Sequence, residues 1–349
     1  MSILPWLDAL PAALGAFGHA HAVLLHGATG HGLLQAATLA VQYWLCEGTD
    51  TGHGRPCGRC QACSRVEAST HPDLQRLLPE SLARQIGDDA ATADGPDEGE
   101  SRARRKPSRQ IRIDEVRSAI DWLSTSSSRG RGKVVLIHPA DAMNPQAAHA
   151  LLKTLEEPPS GARLLLSCAQ PDRLLPTVRS RCQLLKVPRP SAGQARQWLR
   201  DQGVADAEVL LAAASGRPLD AAAWAAAGVD GPVWRSLPEA LLRQQTAAFE
   251  GWPLPRVLDV LGKLCHDALA VAAGASPRFF EAAAWPGADA LPSLAQWSRQ
   301  LASMARRIEH PWNERLLLEA LLLQGARAWK GQSPGLGDAQ LAGSDTLVP

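Results

Sequence analysis

Three cysteines stand at two-residue gaps in CGRCQAC, at Cys57, Cys60 and Cys63, and Cys46 lies eleven residues before the first of them. Thiolates so spaced on a glycine-containing loop converge on one tetrahedral ion, and Cys46 at a helix end completes four sulfurs. His53 competes with Cys46 for the fourth position. The ferredoxin-type iron–sulfur run opens with the same gaps but needs a cysteine at position 67 followed by proline, where Glu67 and Ala68 stand. Zinc is therefore the expected metal. Four protein ligands leave no open position for water, so its role is structural.

A second pattern lies in LLHGATGHGLLQAA, residues 24–37. Gly27 and Gly32, with Gly30 between them, have the spacing of a phosphate-binding loop. Such a loop cradles phosphates with backbone N–H groups, neutralises them with a lysine and holds magnesium with a Ser or Thr. Here Leu33 and Leu34 occupy the lysine and hydroxyl positions. In phosphate-loop ATPases a later strand ends in Asp–Glu, which hold the metal and activate water. In KVVLIHPADAMN those positions are His138 and Pro139, and Asp141 lies three residues beyond the strand. Both halves of one active site lack their chemical groups, which is the pattern of a relic. A third pattern is TVRSRC, where Arg179 and Arg181 precede a strand at a sheet edge open to a neighbour.

These residues need a scaffold. HAVLLHG (21–27), KVVLIH (133–138), RLLLSC (163–168) and RCQLLKV (181–187) read as four strands. Helices are expected over 33–46, from Ile113 to Leu123, and after Asn144, whose side chain caps a helix with Pro145 in its first turn. Strands alternating with helices imply an α/β class with a parallel sheet covered on both faces. Residues 79–109, acids first and then bases with few large apolar groups, read as disordered. Beyond PRPS (188–191) only helical patterns follow, and 331–349 reads as a disordered tail. Cys168, Cys182 and Cys265 read as ordinary buried thiols.

Composition bounds the function class. The 349 residues are 45% hydrophobic and 20% charged, with a net charge of +1, which is no bulk nucleic-acid signature. No apolar run is long enough for a bilayer span, the start lacks the features of a secretory leader, and seven cysteines with three clustered fit a reducing compartment. A cytoplasmic multidomain protein without membrane contact is expected.

Taken together, the degenerate HGATGHG loop with its cysteine insertion, ALLKTLEEPP (150–159) and LLPTVRSRCQ (174–183) resemble the delta-prime family of bacterial DNA polymerase III clamp-loader subunits. The resemblance implies an AAA+ domain with a zinc module over 1–187, a helical lid over 188–231 and a helical collar over 232–330 that forms a ring in a hetero-pentamer. It implies as partners the gamma/tau and delta subunits and, through the complex, the sliding clamp and primed DNA. It makes Arg181, within Ser180–Arg181–Cys182, an arginine finger acting on a neighbour's ATP, while this chain binds no ATP and has no catalytic site of its own. It places Leu219, in SGRPLDA, where an active subunit carries a sensing arginine, and the other sensor within 167–169. The competing readings are an active gamma/tau-type ATPase and a stand-alone zinc or iron–sulfur nucleic-acid-binding protein.

Overall fold

The computed structural model describes residues 4–48, 54–88, 107–281, 284–308 and 312–333. They form two compact units, Met1–Gln194 and Ala195–Pro349.

The first unit is built on a five-stranded sheet of β1 (Ala22–His26), β2 (Leu74–Leu77), β3 (Lys133–Ile137), β4 (Ala162–Cys168) and β5 (Gln183–Lys186). The order is β2-β3-β4-β1-β5 and every neighbouring pair is parallel. The central strands are continuous apolar runs because both of their faces are buried. β2 is absent from the four strands expected. Its LQRL is an edge strand with three half-buried residues, and so lacks the unbroken apolar signal. β5 forms the opposite edge and is mostly exposed, contrary to the expectation of a sheet covered throughout.

Helices α1 (Leu10–Ala16), α2 (Leu33–Leu45), α3 (Gln61–Glu67), α4 (Glu80–Ile86), α5 (Ile113–Leu123), α6 (Pro145–Glu156) and α7 (Pro176–Arg179) complete this unit. Leu24, Val135, Leu164 and Leu166 face α5 and α6, where Val116, Leu123, Leu151 and Leu155 close one buried cluster. Alternation turns Val23, Leu25, Leu136 and Leu165 to the other face, on the side of α2. Asn144 caps α6 as expected, its Oδ1 accepting from the Ala147 amide at 2.8 Å. The starts of β3 and β4 approach closely at Gly132 and Gly161. Gly132 has φ +84°, and a Cβ there would lie 2.1 Å from the Gly161 carbonyl oxygen, so only glycine fits.

The stretch expected to be disordered from residue 79 begins instead with α4. Glu80 accepts from Arg84 at 2.7 Å and from the Ser108 amide at 3.1 Å, while the Ser81 amide donates to the Ser108 carbonyl at 2.9 Å. Local i,i+4 pairing and this closure hold a helix that composition alone hid. Residues 89–106 of that stretch lie outside the described residues, as does 334–349 of the expected tail.

The second unit is helical throughout its described residues, with α8 (Ala192–Asp201), α9 (Ala207–Ala213), α10 (Pro218–Ala226), α11 (Gly231–Leu242), α12 (Leu254–Ala272), α13 (Leu291–Arg306) and α14 (Glu314–Trp329). One buried cluster runs from Ala195 to Trp329. At its centre Trp234 stacks on Trp224 at 5.3 Å and on Phe280 at 4.5 Å. The fully buried Asp267 carboxylate accepts from the amides of Arg278, Phe279 and Phe280, which satisfies its charge. Among the described residues no helix is long and apolar enough to cross a membrane.

Candidate functional site

The four cysteines come together. Cys46 ends α2, Cys60 caps α3 and Cys63 lies in its first turn, with Cys57 on the loop between. Their sulfur atoms lie within 4.8 Å of one another, and Cys46 and Cys60 are 4.0 Å apart. A tetrahedral zinc with sulfurs at about 2.3 Å requires sulfur separations of about 3.8 Å, so the donor set is compatible with that ion. Backbone N–H groups already point at the sulfurs: Gly48 and Cys57 donate to Cys46, and Cys63 donates to Cys60, each at 3.4 Å. The amides of Arg59 and Cys60 draw the Cys57 thiol down to about 6, the state a metal needs, whereas burial pushes Cys63 up. His53, the competing ligand, lies outside the described residues.

The glycine-rich turn connects β1 to α2 with Gly30 at φ +74° and Gly32 at φ +91°, backbone angles that favour glycine. Its surroundings are apolar. A Cβ on Gly32 would lie 2.2 Å from Leu4 Cδ1, one on Gly27 would lie 3.1 Å from Val187 Cβ, and the Trp6 indole donates to the His31 carbonyl at 2.8 Å. Leu33 is buried and Leu34 half-buried, and neither offers charge or a metal ligand. His138 follows β3 at the same edge of the sheet, and its Nδ1 pairs with Ser167 Oγ of β4 at 2.8 Å. Burial, reinforced by the Arg76 guanidinium, holds the His138 imidazole down to about 4. It is therefore neutral at physiological pH, and Pro139 beside it offers no side-chain ligand.

This depression has a testable sign. An unfolded histidine titrates near about 6.5, so below that pH the unfolded chain takes up a proton that the folded chain refuses. Stability is retained above about pH 6.5 and declines towards the folded value of about 4. Urea unfolding at about pH 7.5 and 5 should show a loss of about 2 kcal/mol assignable to this residue, and His138→Asn should remove that part of the slope. An unchanged slope in the variant would mean that the folded protein tolerates the charge.

Arg181 leaves the turn after α7 and enters β5. Its Nε donates to Glu156 Oε1 at 2.7 Å and its Nη1 to the Thr177 carbonyl at 2.9 Å. The side chain remains 35% exposed. Ser180 Oγ accepts from Arg181 Nη1 at 3.3 Å, whereas Cys182 turns inward. Arg179 is spent on Asp172 at 2.6 Å. Burial pushes the Cys168, Cys182 and Cys265 thiols up to about 12, so they are inert at neutral pH, as expected of core thiols.

Several partners escaped the sequence reading. Glu156 sits in the TLEEPP segment and meets Arg181 only through the fold. Ser167 meets His138 across two strands. Around the cysteines, Arg129 reaches Glu47 and Gln61 from far along the chain, and the buried Asp73 holds the Arg129 backbone. No spacing rule links these positions.

A sequence-family profile described as DNA polymerase III, delta subunit, matches residues 7–191. DNA polymerase III subunit delta' of Pseudomonas aeruginosa is 37% identical over 270 residues, 74% of each chain. DNA polymerase III subunit delta' of Escherichia coli K12 is 31% identical over 289 residues, 76% of this chain and 78% of that one. DNA polymerase III subunit tau of the same organism is 30% identical over 162 residues, 46% of this chain and 20% of its own length. The match extends past the sheet and the cysteine module into the helical second unit, and on this footing the chain belongs to the DNA polymerase III subunit delta' family.

Proposed function

We propose that the chain is the ATPase-inactive delta-prime subunit of a DNA polymerase III clamp loader. It would complete a neighbouring subunit's ATP site with Arg181 and help place the sliding clamp on primed DNA. The observation that carries this reading is the coordinated loss of one chain's own chemistry beside an intact, accessible arginine. Leu33 and Leu34 replace the phosphate and metal groups, a neutral His138 and Pro139 replace the acidic pair, and Arg181 stays at the surface. A neutral imidazole bonded to Ser167 is a poor magnesium ligand beside hard oxygens.

In this reading residues 1–187 act as the AAA+ domain, 188–231 as the lid and 232–330 as the collar that joins gamma/tau and delta subunits in a hetero-pentamer. The four cysteines hold one structural zinc, which supplies folding free energy and no chemistry. One sensor lies within residues 167–169, and Leu219 stands at the position of the sensing arginine. The protein acts in the cytoplasm.

The test is assembly combined with nucleotide titration. The full chain mixed with gamma/tau and delta subunits should co-elute as one complex, and alone it should bind no ATP at sub-millimolar concentration. Failure to assemble overturns the subunit assignment. Tight ATP binding with hydrolysis by the isolated chain would favour an active motor instead.

A further inference from the structure

The residue after each of two cysteines is held by one distant side chain. Glu47 follows Cys46 and Gln61 follows Cys60. The Arg129 guanidinium grips both: Nε and Nη2 take the two Glu47 carboxylate oxygens, Nη2 at 2.8 Å, and Nη2 also donates to Gln61 Oε1 at 3.1 Å. The Glu47 amide in turn faces the Cys60 sulfur. Arg129 is itself fixed from behind. The fully buried Asp73 carboxylate accepts from the Ser128 and Arg129 amides at 2.7 and 2.9 Å and from Ser127 Oγ at 3.0 Å. Asp73 leads into β2 and the Ser127–Gly130 turn leads into β3, so the grip is mounted on the sheet.

We propose that Arg129 is the positioning residue of the thiolate centre. It joins the segment carrying Cys46 to the segment carrying Cys60 and holds their sulfurs at metal-binding separation before the ion arrives. Cys46 closes α2 and Cys60 caps α3, and beside the Gln42 Nε2 bond to the Cys63 carbonyl at 3.1 Å, Arg129 ties together the residues that follow both cysteines. A planar guanidinium can serve a carboxylate bidentately and an amide oxygen at once, which a lysine ammonium cannot do in fixed geometry. Groups that orient metal ligands without touching the ion typically contribute about 10–100-fold in affinity. The proposal rests on the cysteines holding zinc, and it adds a residue that no cysteine spacing predicts.

The test uses the full chain purified with zinc. Metal content, chelator competition and the rate of zinc release are measured for the parent, Arg129→Ala, Arg129→Lys and the double variant Glu47→Gln/Gln61→Ala. The parent should hold one zinc per chain. Arg129→Ala should weaken apparent affinity by about 10–100-fold and speed release, and Arg129→Lys should not rescue it. The double variant, which leaves the arginine and its turn in place, should reproduce the loss without lowering the thermal midpoint of the sheet. In the cobalt-exchanged chain the tetrahedral visible bands should weaken in the same variants. Parent-like affinity and release in both Arg129→Ala and the double variant would overturn the positioning role while leaving zinc in place. A parent chain that takes up no zinc would overturn the zinc reading itself, together with the role built on it.

Discussion

With Arg181 as the proposed finger, Arg181→Ala should lower ATP turnover at a neighbouring subunit's site by about 10³-fold, equivalent to about 4 kcal/mol of transition-state stabilisation, without dissolving the assembled complex. The two halves of that expectation have separate physical sources. Arginine fingers stabilise charge that develops on the transferring phosphoryl group, so their removal acts on the barrier. The same side chain contributes little to its own fold. Its partners are Glu156, which is itself half exposed, the Thr177 carbonyl and Ser180 Oγ, and exposed ion pairs contribute only about 0–1 kcal/mol. None of these exposed partners becomes a buried orphan when the guanidinium is removed. Arg181→Lys should not restore the rate, because a point ammonium lacks the planar fork. DNA-stimulated turnover in the reconstituted complex, under conditions that isolate the site beside this chain, is the rate measurement, and size-exclusion chromatography confirms assembly. Normal turnover in an intact complex would sink the role given to Arg181.

The sequence disclosed elements whose cause is local. Strands β1, β3 and β4 are apolar runs because two faces of the sheet bury them, and the Asn144 cap is written in adjacent residues. The cysteine cluster was legible for the same reason, since Cys46, Cys57, Cys60 and Cys63 lie close together in the chain. What stayed hidden depends on separation. Arg129 lies 82 residues from Glu47 and 68 from Gln61, and Ser167 lies 29 from His138. Edge position hid β2, whose half-buried LQRL carries no unbroken apolar run. Residues Leu33, Leu34, His138 and Pro139 were legible as residue types without lysine, hydroxyl or acidic groups. That His138 is desolvated and paired, or that Leu4 packs against Gly32, required the fold.

With the four cysteines holding the proposed zinc, Cys60→Ser should release it and unfold the cysteine module while leaving the sheet and Arg181 in place. The substitution separates two roles of one side chain. Cys60 caps α3, its sulfur accepting from the Cys63 amide, and serine is among the best residues for that task. The cap therefore survives and the soft thiolate ligand is lost, so any destabilisation reports the metal. Structural zinc supplies about 10–16 kcal/mol of apparent folding free energy in small modules, as much as the whole stability of an ordinary domain. The module has little to set against that loss, since α3 buries only Ala62, Cys63 and Val66. The sheet has its own core of Leu24, Val135, Leu164 and Leu166 with α5 and α6, a cluster that does not include Cys46, Cys57, Cys60 or Cys63. Tryptic cleavage at Arg59 should accelerate sharply in the variant, zinc content should fall to near zero, and the main unfolding transition should shift little. ATP turnover of the assembled complex should persist. A variant that kept its fold and assembled, yet supported no clamp loading, would instead assign the metal a direct part in that activity.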